Sequence, residues 1–136
     1  DRRMLLARAL QLFMPGKPQV WYLDLFAVKN DYEAVKRAGA GGHKEINRTN
    51  LSLEDIEEKL QTEVVRKQLQ LLRFRSTFPA FDFDSEIQVH AKEEQMTFTW
   101  SKDGYTAVLE VDLKTEKFTV KGLGKNQEEI FSMEQN

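Results

Sequence analysis

The chain has 136 residues, a formal net charge of −2, no cysteine, and 40% hydrophobic and 10% aromatic residues. That length suits one domain, or a small domain with part of another, and the composition supports a packed core over disorder. Mixed, weakly negative charge excludes the basic face that nucleic acid or an anionic membrane requires. The absence of cysteine excludes disulfides and thiolate metal sites and fits a reducing, cytoplasmic compartment; no run is long enough to span a membrane, and no signal-peptide pattern opens the chain.

Residues 4 to 14, MLLARALQLFM, are strong helix formers and apolar on nearly every side, which predicts a helix buried on more than one face. Pro15 and Gly16 stop it. Val20 to Phe26 predicts a strand covered on both sides, as in a parallel sheet, with Trp21 and Tyr22 packed inside it. Asp24 is the odd residue in that run and is expected to cap or hydrogen-bond a neighbouring loop. Residues 27 to 50 form a polar excursion. Within it, Tyr32 to Ala38 predicts a short helix capped by Asn30 or Asp31, and Gly39, Gly41 and Gly42 permit tight turns. GAGGHK lacks the spacer and the Ser/Thr of a phosphate loop. A strand running into a long loop between helices is where α/β folds hold ligand contacts, so any site is expected here.

Ser52 and Asp55 read as N-cap and N3 of a capping box, starting a helix from Leu53 to about Leu60 that breaks near Gln61-Thr62. A second helix follows from Glu63 to about Thr77, with Arg66, Lys67, Arg73 and Arg75 around its wet edge. After Pro79 the periodicity changes to two. Ile87, Val89 and Ala91 alternate with polar residues, as do Met96, Phe98 and Trp100, then Tyr105 to Leu113, then Phe118 and Val120. This is the pattern of antiparallel strands with one buried face, and residues 79 to 122 are expected to form one sheet. Ser101 to Gly104 and Lys114 to Glu116 are turns. Beyond Gly122 the pattern thins, with Ile130 and Phe131 expected to make one more contact before a frayed end.

Glu54, Asp55, Glu57 and Glu58 are a helix first turn favoured by the dipole and not an acid/base pair. With only His43 and the isolated strand residue His90, a metal cluster is not expected. The first residue, Asp1, leads almost directly into a helix, as if the chain continued something longer.

Two motifs carry a resemblance. The run PGKPQVWYLDLFAVKND, from Pro15 to Asp31, followed by EINR, from Glu45 to Arg48, resembles the sucrose phosphorylase branch of glycoside hydrolase family 13, the α-amylase superfamily. The likeness covers residues 4 to 80 and is architectural beyond them. It implies that residues 1–78 are an α/β remnant, the last helix-strand-helix of a (β/α)8 barrel. Residues 79–136 would then be a small antiparallel β-sheet C-terminal domain. Members of that branch cleave an α-glucosidic bond with retention, using a carboxylate nucleophile, a glutamate acid/base and phosphate as acceptor. These carboxylates sit on earlier barrel strands, so the catalytic residues are expected before Asp1 and the fragment alone is expected to be inactive. The resemblance implies no cofactor, inorganic phosphate as co-substrate, an α-glucoside such as sucrose as substrate, and the rest of the barrel as partner.

The family motif commonly reads GRDINR, and its first arginine reaches the bound glucose. The aligned residue here is Lys44, and the family's aspartate is Glu45. Lysine keeps the charge and loses the planar fork, which suggests a relative with another sugar or acceptor preference. Arg48 matches directly and is expected to pair with Glu45 or a loop carboxylate; with His43 it completes the candidate substrate-binding set. A glycine usually stands at the position of Asp24, so Asp24 inherits no role. The alternative function is an independent β module binding carbohydrate or protein. An exposed aromatic platform would favour that module, and an inward Trp100 would favour the enzyme part.

Overall fold

The computed structural model describes residues 1–135. Two compact units divide the chain: Asp1–Pro18 with Gln70–Asn136, and Gln19–Leu69. The boundary at Leu69 falls inside the helix Glu63–Thr77.

The first unit is an antiparallel meander with helices against it. Strands β1 (Glu86–Lys92), β2 (Gln95–Lys102), β3 (Tyr105–Asp112), β4 (Lys117–Leu123) and β5 (Glu129–Gln135) lie in sequence order. Alternation decides the buried face. Phe98 pairs with Leu109, Leu109 with Val120, and Val120 with Met133, and all four are buried. The neighbouring row runs Trp100, Ala107, Gly122, Phe131, so the row is small in its middle. Helix α1 (Arg2–Phe13) packs on β3 and β4, burying Leu5, Leu6, Ala9, Leu12 and Phe13. Phe74 stacks on Phe131 with ring centroids 4.2 Å apart, and Phe81 meets Trp100 at 5.4 Å.

Polar groups finish this core. The last carbonyls of a helix lack intrahelical donors. Here Trp100 Nε1 donates to the Phe13 carbonyl at 2.8 Å and Arg75 Nε to the Leu12 carbonyl at 2.8 Å. The Arg75 guanidinium also lies over the rings of Phe81 and Trp100, 4.5 and 4.7 Å from their centroids. Arg75 therefore points inward, not along the wet edge expected of it, because stacked arginine is weakly hydrated and finds acceptors there. Lys67 does pair with Glu63, at 2.7 Å.

The sheet departs from expectation at both edges. Strand β1 is mostly exposed, with Val89 at 48%. An edge strand pairs on one side only, and alternation does not reveal how far the covering layer reaches. At the other edge, β5 is a full strand of seven residues where a frayed end was expected. Its ladder with β4 supplies the order that weak alternation did not signal. Asp103 (φ 51°) and Gly104 (φ 84°) take the left-handed geometry of the Asp-Gly hairpin turn.

The second unit contains four short elements and the start of a longer helix. They are α2 (Tyr22–Leu25), α3 (Tyr32–Ala38), a 3-10 turn (Gly42–Asn47), α4 (Leu53–Leu60) and the first residues of α5 (Glu63–Thr77). Asp31 caps α3 by accepting from Ala34 N at 2.8 Å, and Ser52 and Asp55 close the expected capping box on α4. The strand expected over Val20 to Phe26 is absent. No other strand lies within residues 19–69 to pair with it, so the backbone bonds to itself: Leu25 N to Trp21 O and Phe26 N to Tyr22 O, both 3.0 Å.

Candidate functional site

The excursion that sequence reading singled out folds as α3 followed by the 3-10 turn. Close approach requires a glycine at its start: a Cβ on Gly42 would lie 2.5 Å from Ala38 Cβ. Asp31 N donates to the Ile46 carbonyl at 2.8 Å, which returns the end of the turn to the start of α3.

All three expected site residues are on this turn or its end. His43 and Lys44 are exposed, and among the described residues neither side chain forms an ion pair or hydrogen bond. Arg48 caps the turn and pairs with Glu45 at 3.5 Å, as expected; both are substantially exposed, so the pair is weak. Lys44 is thus a free cation on a turn whose neighbour is self-neutralised.

Sequence reading missed how this turn is held. Trp21 and Tyr22 are 49% and 39% exposed, not packed in a strand. Their polar atoms reach the turn: Trp21 Nε1 donates to the Asn47 carbonyl at 3.2 Å, and Tyr22 Oη to the Thr49 carbonyl at 2.9 Å. Asn47 Nδ2 donates to Asp24 Oδ1 at 3.3 Å, which is the loop bond expected of Asp24. Behind α2, buried Gln68 donates from Nε2 to the carbonyls of Asp24 and Leu25, at 3.2 and 3.0 Å. The polar tips of an aromatic pair were the available signal, and the buried-strand assignment hid it.

Carboxylate chemistry is not assembled here. Asp55 is bonded to the Ser52 hydroxyl and N–H, which hold its pKa below the ordinary aspartate value. Glu110 and Asp112 line a shallow depression of about 320 Å³ on the sheet, but the Thr115 N–H holds the Asp112 carboxyl low, and a general acid needs the opposite shift. Among the described residues no cluster of His, Asp and Glu has metal-site geometry, and no helix is long and apolar enough to cross a membrane. Trp100 is buried, so the strands offer no platform through it.

No protein-family model matches the chain. Curated relatives do. A sucrose 6(F)-phosphate phosphorylase of Ilumatobacter coccineus is 52% identical over 120 residues, which is 88% of this chain and 23% of that protein. A glucosylglycerol phosphorylase of Marinobacter adhaerens is 39% identical over 88% of this chain and 25% of its own length. The crystal structure of a sucrose 6F-phosphate phosphorylase from Thermoanaerobacter thermosaccharolyticum superposes with a TM-score of 0.84 at 41% identity, covering 98% of this chain and 26% of that one. The chain spans about a quarter of the length of these relatives, at their C-terminal end. With both motifs, the fold and these relatives in agreement, the chain belongs to the sucrose phosphorylase-like branch of glycoside hydrolase family 13, of which it is a C-terminal part.

Proposed function

We propose that the full-length protein bearing this chain is a retaining α-glucosyl phosphorylase whose preferred donor is sucrose 6F-phosphate or a close relative. The observation that carries this reading is the 52% identity to a protein named for that activity, ahead of 39% to a glucosylglycerol phosphorylase. In such a reaction a carboxylate outside this chain attacks the anomeric carbon of glucose. The glycosidic C–O bond breaks, and an acid/base glutamate protonates the departing oxygen. Inorganic phosphate then displaces the carboxylate, giving α-glucose 1-phosphate. No cofactor is needed, and the compartment is cytoplasmic.

Residues 1–78 would close a (β/α)8 barrel, and residues 79–136 would form the β domain that follows it. The turn at His43 to Arg48 would supply one wall of the glucose pocket. Lys44 donates there to a sugar hydroxyl, with His43 beside it and Arg48 holding Glu45. What supports this is the free, exposed Lys44 cation on a turn whose other acid and base are paired.

The test is phosphate-dependent release of α-glucose 1-phosphate from sucrose 6F-phosphate and from sucrose. The full-length protein is expected to release it, faster from the phosphorylated donor, and the 136-residue chain to release none. Release by the chain alone, or phosphate-independent release of glucose by the full-length protein, would overturn the reading.

A further inference from the structure

We propose that Asp24, together with Trp21 and Tyr22, is a positioning residue for Lys44, so that the one-turn helix α2 sets where the sugar-contacting cation stands. The inference rests on the reading of Lys44 as a glucose contact and adds to it the device that aims the lysine.

A 3-10 turn has poorer hydrogen-bond geometry than an α-helix and is used in short pieces. Apart from Gly42, residues 41 to 48 are half-buried or exposed, so little apolar burial fixes them. Lysine is a single charge on a long flexible stem, and its reach depends on where the backbone puts its Cα. What holds this backbone from α2 is polar: bonds from Trp21 and Tyr22 to the carbonyls of Asn47 and Thr49, and from the Asn47 amide to Asp24.

The chain of bonds also has a rigid root. A single helical turn is not stable by itself, but wholly buried Gln68 on α5 fastens the carbonyls at the end of α2. Asp24 thus uses its backbone toward α5 and its side chain toward the turn. The Trp21 and Tyr22 bonds are exposed and the Asn47–Asp24 bond is half-buried, and one such hydrogen bond contributes only modestly to global stability. Their loss is expected to register in placement of Lys44, not in unfolding.

The experiment is a mutant cycle on kcat/KM for the glucosyl donor in the full-length protein, with Tm measured alongside. Lys44→Ala is expected to lower kcat/KM by about tenfold to a hundredfold, and Asp24→Ala by about threefold to tenfold, the size of one lost hydrogen bond. Asp24→Asn, which keeps an oxygen for Asn47 Nδ2, is expected to recover most of the loss, and Tyr22→Phe to lose about threefold. The decisive variant is Asp24→Ala combined with Lys44→Ala. If Asp24 acts through Lys44, the double variant is no worse than Lys44→Ala alone. A full multiplicative loss in the double variant, or a silent Asp24→Ala beside a damaging Lys44→Ala, overturns the positioning role and leaves the sugar contact standing. A silent Lys44→Ala overturns both.

Discussion

In the unit formed by residues 1–18 and 70–136, order comes from burial: rows of Phe, Leu, Val and Trp stack across four paired strands beneath a helix. In residues 19–69 the buried residues are Leu23, Gly42, Val64, Val65 and Gln68, and the segments between them are held mainly by caps and side-chain bonds to carbonyls. The first kind of order tolerates no change in volume but is indifferent to most surface chemistry. The second leaves side chains exposed and aimed, which is what a binding wall requires. Damage should accordingly appear as a large loss of stability in the first unit and as local loosening or lost activity in the second.

The largest effect is expected at Trp100. Its ring is buried, its N–H satisfies the end of α1, and Arg75 lies over it. Trp100→Ala should cost about 3–5 kcal/mol, removing a large aromatic and orphaning the Phe13 carbonyl. Denaturant melts would measure it, and a loss below about 1 kcal/mol would mean that burial does not govern this unit.

Next comes Gly122, where a Cβ would lie 2.6 Å from Phe74 and 3.1 Å from Phe78. Phe74 is itself stacked on Phe131 and cannot withdraw easily. Gly122→Ala should destabilise by about 1–3 kcal/mol through overpacking, although alanine is otherwise an innocuous strand residue. A melt unchanged from the parent chain would show that the rings yield.

A smaller loss, about 1 kcal/mol, is expected from Ser52→Ala. The hydroxyl accepts from Asp55 N at 3.1 Å and donates to the Asp55 carboxylate at 2.7 Å. Because this box serves one short helix of the second unit, amide exchange should quicken in α4 and remain unchanged in β2 to β4. Quickening throughout the sheet would break the distinction between the units.

The same contrast explains what could be read in advance. Period-two alternation marks a buried sheet face wherever strands are covered, so the inward set of Phe98, Trp100, Leu109 and Val111 was legible. So was the Ser52–Asp55 box, which depends on three consecutive backbone steps and nothing distant. Val20 to Phe26 misled because its apolar and aromatic residues read as a strand covered on both sides, whereas only Leu23 of the run is buried. With no partner strand among residues 19–69, the segment turned helical. Glu93 and Glu94 make a tight turn between β1 and β2 that carries no glycine or proline mark, Glu93 taking φ 54°. At the candidate site, the motif singled out Lys44 as a proposed contact, but the bonds from Trp21, Tyr22 and Asp24 were not legible, since each links residues more than twenty positions apart.

The most direct test is Lys44→Ala in the full-length protein, with kcat/KM for the glucosyl donor and Tm measured on the same preparation. Lys44 is exposed and is not part of the core, while a charged hydrogen bond to sugar in a dry pocket is worth about 1.5–3 kcal/mol. The expected result is a fall in kcat/KM of about one to two orders of magnitude with Tm unchanged, and Lys44→Arg retaining most activity. Unchanged kcat/KM, or a loss that merely follows a fallen Tm, would contradict the assignment of this turn to the sugar pocket.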